Sequence, residues 1–474
     1  MQDALRKTLN LTNLTDYKIL LANLDKAESG PIIDEKDWDN LYISQNIREL
    51  VAKYDIAWKE DDPCIPWDDD YADRVFAAGL EMALRTGVYC LDTKRQMLWS
   101  RAELEQILDR TPQEVTVGGG EDAACVFSRQ PDDSTRVAVW GGPWGVPVPE
   151  ELYIPFIESY AREPVFDLVE NATLLSTHGR PIRAGSPWEA VAAWQESQMA
   201  LEAIRRAGRP NLALGCVEIA TTGIGELAGS TYGAYRQTDV HHAALISEQK
   251  TAYHQLIKSV HFAHTGSISE AYFNPMYGGY AGGGPGVAIA IVSGMLMVKA
   301  NLGGTFCNSG PTHVHLDCST HPDLVTATAL AFQGLARNTD LLITPFVRPT
   351  TGPGTREIFY ESAALIIATV VSGASAIDCV QSATGNSTLH SSPLEARFCG
   401  ELVHAVEGMT RKDADPIVRR LVSKFEHIQG EGLIGQPFTE VYDLESLKPK
   451  SEWLAVYESA VDEMDNEFGI TLES

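Results

Sequence analysis

The stretch Gly304–Phe346, GTFCNSGPTHVHLDCSTHPDLVTATALAFQGLARNTDLLITPF, carries the unit that decides the fold. A short apolar run at Gly304–Asn308 and a second at His313–Asp317 lead into a helical pattern at His321–Arg337, and a third run follows at Leu341–Phe346. Strand, helix and strand within some forty residues is the rhythm of a βαβ unit with parallel strands. Working outward, further strands are predicted at Val137–Trp140, Asp167–Leu175, Leu212–Val217, Ser259–His264 and Ala376–Gln381. Between them fall helical patterns at Pro187–Ala207, His241–Ile257, Gly286–Asn301 and Glu357–Ser372. About eight strands alternating with helices predict a closed α/β barrel of the (β/α)8 TIM type. Residues 1–130 read as an N-terminal helical region packing on the barrel, with helices at Tyr71–Thr86 and Arg101–Asp109. Residues 131–474 hold the barrel and its C-terminal helices at Leu394–Gly408, Ala414–Ile428 and Ser451–Phe468.

Composition narrows the function. The 474 residues carry 64 Asp and Glu against 37 Lys and Arg, a net charge of −27, which repels a phosphate backbone and argues against nucleic acid as a partner. No signal-type apolar segment follows the first residues. The uncharged runs Gly286–Val298 and Ser362–Ile377 fall short of the about 20 apolar residues that span a bilayer. Eight cysteines (Cys64, Cys90, Cys125, Cys216, Cys307, Cys318, Cys379 and Cys399) include no C-x-x-C pair, so a reduced, cytoplasmic protein is expected.

In a parallel barrel, chemistry belongs to the C-terminal strand ends and the loops after them. On Leu212–Glu218, alternation puts Ala213, Gly215 and Val217 on the inner face and Cys216 toward the helices, as a structural thiol. Glu218 ends this strand and is a candidate catalytic carboxylate, its plain alternative being a helix cap. His313-Val-His315-Leu-Asp317 places polar side chains on one strand face, a weak two-histidine metal signal beside the reading of a hydrogen-bonded polar layer. The glycine loop Pro275–Gly286 follows a strand and precedes a helix. It either admits a phosphate or cofactor close to the backbone or is a packing loop that needs positive φ angles.

Several segments together resemble the monomethylamine:corrinoid protein methyltransferases, the methanogen family that carries pyrrolysine. They are Ala77–Met82, Gly87–Thr93, Gly141-Gly-Pro143, Ala207-Gly-Arg-Pro210, Thr238-Asp-Val-His241, Pro275–Gly283, Gly310-Pro311 and Leu394–Glu401, in order from about residue 35 onward. The resemblance implies a (β/α)8 barrel in a homo-oligomer, with a hexamer as the candidate state, that delivers a methyl group to the cobalt of a separate corrinoid protein. Counting from Gly208-Arg-Pro210, it puts Gly215 at the pyrrolysine position and Glu218 on a family active-site glutamate. It puts Tyr272 on the second family glutamate, with Phe346 and Arg348 on a glutamine and a tyrosine. Asp239 and His241 fall in the matched Thr238–His241 segment and are read as substrate-binding.

Loss of the imine favours a donor that needs no activation, a quaternary amine or betaine rather than monomethylamine. Tyr272, Phe346 and nearby Tyr277 or Tyr280 could cage such a cation, and Arg348 could take a carboxylate, unless Glu218 or Glu270 pairs with it. No corrinoid is expected on this chain itself, since Asp239-Val-His241 continues with His242-Ala-Ala244 instead of an Asp-x-His-x-x-Gly pattern. Two other readings stand beside this one. The first is a metal-assisted demethylase or hydrolase using His313, His315 and Cys307. The second is a barrel that binds without catalysis.

Overall fold

The computed structural model describes residues 14–59, 62–216 and 221–472. Eight parallel strands form its centre: β1 Ala138–Gly141, β2 Leu168–Glu170, β3 Ala213–Cys216, β4 Val240–Leu245, β5 Ile268–Phe273, β6 Phe306–Ser309, β7 Leu342–Pro345 and β8 Ala376–Cys379. They run in sequence order around the sheet, with β8 beside β1. The ring closes where Ser375 N–H donates to the Ile343 carbonyl at 2.8 Å and Phe346 bridges Asp378. Each strand is followed by a helix: α1 Tyr153–Ala161, α2 Pro187–Arg206, α3 Gly223–Gly229, α4 Tyr253–Thr265, α5 Gly284–Leu302, α6 Pro322–Asn338, α7 Glu357–Val370 and α8 Pro393–Ala405. This is the predicted (β/α)8 barrel.

Local chemistry sets the helix starts. Ser186 caps α2 and His321 caps α6, each followed by Pro, whose missing N–H costs nothing in a first turn. A Ser392–Glu395 capping box opens α8, again with Pro next. Helix α5 is long and apolar enough to cross a membrane, but 89% of its most apolar window is buried inside the fold, which makes it a core helix. It lies against the N-terminal helix Asp69–Thr86, where a Cβ on Gly79 would stand 2.4 Å from Val292 Cβ.

Three predicted elements differ. Val240–Leu245, expected as the start of a helix at His241, is strand β4. Ser259–His264, expected as a strand, is the end of α4, whose buried Leu256, Ser259 and Phe262 recur every three residues. Gly266, left-handed at φ 68°, caps α4, and β5 then begins at Ile268. The His313–Asp317 run is mostly a turn: only Thr312–His313 pairs, with Met276–Tyr277, outside the barrel, and Asp317 sits at φ 50°. The strand count came out at eight because two missed strands replaced two that do not exist. The N-terminal region also carries hairpins, and Glu114–Val117 with Ala124–Phe127 plugs the lower barrel.

Inside the barrel the layers follow strand parity. Ala138, Leu168, Ala213, Val240, Phe306, Leu342 and Ala376 make an apolar lower layer with Val117 and Val126 of the plug. Leu214, one residue from Ala213, joins the other core, between strands and helices. The next inward positions up, toward the C-terminal ends, are polar on six strands, with Trp140 on β1 and Gly215 on β3.

Candidate active site in the barrel lumen

The upper lumen is lined by Glu170 of β2, Gly215 of β3, His242 of β4, Glu270 and Tyr272 of β5, Asn308 of β6, Thr344 of β7 and Asp378 of β8. Register aligns them: Gly215 pairs with Glu170, His242 with Glu270, Tyr272 with Asn308, and Asn308 with Thr344. Glu170, Glu270 and Asp378 are wholly buried, and His242 is 4% exposed. His242 Nε2 lies 3.5 Å from Glu170 Oε2 and 3.9 Å from Glu270 Oε2. Thr344 Oγ1 donates to Glu270 Oε1 at 2.6 Å, and Asn308 Nδ2 donates to the same oxygen at 3.2 Å and to Asp378 Oδ2.

Two of the carboxyl groups in this buried lumen, on Glu270 and Asp378, hold their protons strongly. Burial pushes Glu270 up to about 7, with His242 opposing and Glu170 adding to the rise. Burial together with Glu270 and Glu170 lifts Asp378 well above the carboxylate range.

Aromatic rings cover this floor. Trp144, on the loop after β1 at φ 48°, stacks on His242 with centroids 5.2 Å apart and planes 7° apart. It meets Phe346 at 4.4 Å and Tyr272 edge-on at 6.4 Å. Gln381 Nε2 donates to the Trp144 carbonyl and holds that loop. Gly215 makes room for the floor: a Cβ there would lie 1.8 Å from Glu170 Oε2, so any side chain at position 215 requires the Glu170 carboxylate to move.

Of the residues singled out from sequence, Tyr272, Phe346 and Gly215 meet in the lumen. Arg348 stands beside it, but its partner is neither Glu218 nor Glu270. Nη1 donates to Asp317 Oδ1 at 2.8 Å, Nε donates to Gln381 Oε1 at 2.7 Å, and the guanidinium lies 5.2 Å from the Phe346 ring. Glu218 lies outside the described residues.

Asp239 and His241 are corrected: both face away from the lumen. Asp239 binds Arg236 and the Leu214 N–H, while His241 lies 3.0 Å from Glu226 Oε1 and 2.9 Å from the Arg236 carbonyl. Period two in β4 turns Val240, His242 and Ala244 inward and His241 outward. Tyr277 donates to Asp323 Oδ2 at 2.5 Å and packs on His313 and His321, and Tyr280 stands exposed, so neither joins the cage.

His313 and His315 are not paired on a strand. His313 Nδ1 accepts the His315 and Leu316 N–H groups inside a turn, and among the described residues these histidines form no cluster with metal-ligand spacing. Cys307 faces the helices, its thiol pushed up to about 12 by burial, which leaves no reactive thiolate. The glycine loop is a packing loop: Cβ atoms would strike Trp58 at Gly284 and the Ala281 carbonyl at Gly286.

The floor residues Glu170, His242, Asn308, Thr344 and Asp378, and the lid Trp144, were not singled out from sequence. Their signal was polar residues at inward parity within apolar strands.

Comparison with known proteins fits this layout. The family model "Monomethylamine methyltransferase MtmB" matches residues 19–470. The chain belongs to the monomethylamine methyltransferase family. Members of this family are corrinoid-dependent methyltransferases that work with a corrinoid on a separate protein. Monomethylamine methyltransferases of Methanosarcina acetivorans and Methanosarcina mazei are each 29% identical over 436 residues, 92% of this chain and 95% of theirs. The crystal structure of the Methanosarcina barkeri enzyme superposes with a TM-score of 0.91 at 28% identity, over 95% of this chain and 98% of that one. A hydroxylamine complex of the monomethylamine methyltransferase matches equally well.

Proposed function

We propose that this family member takes a methyl group from a small methylated ammonium compound bound in the barrel lumen and passes it to a corrinoid carried by a partner protein. The reduced cobalt of the corrinoid supplies the nucleophile. With floor residues 0–4% exposed, the lumen leaves no space for a macrocycle, so transfer belongs at the C-terminal mouth. The single observation carrying this reading is the pairing of a buried carboxyl floor with an aromatic cover at that mouth. Glu170, Glu270 and Asp378 offer carboxyl oxygens to a cation, and Trp144, Tyr272 and Phe346 present ring faces to its methyl groups. A donor entering the site displaces Trp144 from His242. Glu218, two positions beyond β3 in the sequence, is assigned to orient the donor or handle a proton.

The donor class follows from the same residues. A quaternary ammonium leaves as a neutral tertiary amine and needs no imine to capture it, which suits a chain with Gly215 in the lumen. A betaine fits less well. Its carboxylate would meet three carboxyl groups, and the arginine that could receive it is held by Asp317 and Gln381. The reading therefore narrows to a quaternary ammonium without a carboxylate. The free thiols of the seven described cysteines suit a reduced cytoplasm. Exposed Trp188, Val191 and Trp194 on α2 offer an apolar face for a homo-oligomer.

The test is a panel of tetramethylammonium, trimethylamine, monomethylamine and glycine betaine with a reduced corrinoid protein, followed by its visible spectrum. Tetramethylammonium should react, and Trp144→Ala should raise its KM by roughly five- to thirtyfold, the about 1–2 kcal/mol of a cation over a desolvated ring. No spectral change with any ammonium compound, or reaction with betaine alone, would overturn the donor assignment.

A further inference from the structure

The lumen floor has a charge problem that a donor solves only while it is bound. Three carboxyl groups, on Glu170, Glu270 and Asp378, share a wholly buried space with one imidazole, His242. Buried charge of one sign persists only with a proton or a cation beside it. Two details go beyond an acidic cluster. The ligand atoms of Glu170, His242 and Glu270 all lie within 4.8 Å of one another, a grouping from the neighbouring strands β4 and β5 and from β2, whose Glu170 reaches across the space left by Gly215 of β3. Glu270 is also aimed: Thr344 and Asn308 both bond its Oε1, while Oε2, buried and without a hydrogen-bond donor among the described residues, faces His242. Fixing one carboxylate oxygen so that the other points inward is how outer residues orient a metal ligand.

We propose that Glu170, His242 and Glu270 bind a divalent transition-metal ion. Metal bonds of about 2.0–2.2 Å set ligand atoms roughly 3–3.6 Å apart. The His242–Glu170 edge is already 3.5 Å, and the His242–Glu270 edge of 3.9 Å closes with a small side-chain shift. One imidazole and two carboxylates suit Zn2+, Mn2+ or Fe2+ more than Ca2+, which takes six or more oxygens. Asp378, held beside Glu270 through Asn308, is not needed as a ligand. Trp144 stacked on His242 and the apolar layer below keep water from competing. An ammonium donor and the ion draw on the same carboxylates, so each should weaken the other's binding.

The test uses the full chain freed of metal with a chelator and titrated with Zn2+, then Mn2+, by calorimetry near neutral pH. One ion per chain is expected. His242→Gln and Glu170→Gln should each weaken it by at least roughly a hundredfold, and Thr344→Val by about tenfold or more through the loss of Glu270 orientation. His315→Gln, on the separate histidine turn, should leave affinity unchanged. If His242→Gln fails to fold, the parent loaded with Co2+ decides the matter: visible bands of an imidazole-bound ion, weakened in Thr344→Val, support the site. Absence of stoichiometric binding in the parent, or binding that survives His242→Gln and vanishes in His315→Gln, would overturn it. Saturating tetramethylammonium should lower the Zn2+ affinity. Unchanged Zn2+ affinity there would count against the donor's placement on this floor and leave the metal site standing.

Discussion

At the scale of single residues, Arg348 is the most instructive side chain. Its guanidinium spans Asp317 and Gln381 while lying near Phe346, so it braces the lumen's rim instead of waiting for a ligand. Asp317 is 45% exposed, which limits the pair to about 1 kcal/mol. Arg348→Met should lower the thermal midpoint by a few degrees and depress transfer from betaine and tetramethylammonium by the same factor. A selective loss for betaine in the corrinoid assay would return Arg348 to substrate recognition. Glu218 calls for a different balance: Glu218→Gln should keep the thermal midpoint within a few degrees while methyl transfer falls at least roughly tenfold, about 1.4 kcal/mol of barrier. Unchanged single-turnover rates would remove it from the site.

At the scale of elements, the lumen depends on which strand face each residue occupies. Strand β3 contributes nothing polar of its own at position 215; it contributes the absence of a side chain, and Glu170 fills that space from β2. Gly215→Ala should therefore cost roughly 1–3 kcal/mol through overpacking, seen as a lower denaturation midpoint, and should displace Glu170 enough to abolish most methyl transfer. Parent-like stability and rate in this variant would mean the floor tolerates a moved Glu170. The same parity separates His241 from His242. One sits on Glu226 and Arg236 outside the barrel, and its neighbour faces two carboxylates inside. A one-residue error on such a strand exchanges a structural residue for a site residue.

At the scale of the whole molecule, stability and pH are linked through a half-buried carboxyl outside the lumen, Glu163. Burial raises Glu163 to about 7, opposed by Arg397 4.0 Å away. The unfolded chain releases this proton near the ordinary carboxylate value of about 4.3. Between that pH and about 7 the folded state binds more protons, so stability is fullest below the window and falls as pH rises through it. Glu163→Gln should thus gain in melting temperature over the parent at pH 8 and gain little at pH 4.5. A pH-independent difference would show that Glu163 is ionised in the folded protein. The sequence by itself determined the barrel, because alternating strands and capped helices are local patterns. It also determined the acidic charge, the family resemblance and the neighbourhood of Tyr272, Phe346 and Gly215. Only the tertiary structure decided that Glu170, His242, Glu270 and Asp378 form one floor and that Asp317 claims Arg348. Those residues are dozens to hundreds of positions apart, and barrel closure with strand register, which no local pattern encodes, brings them within a few ångströms.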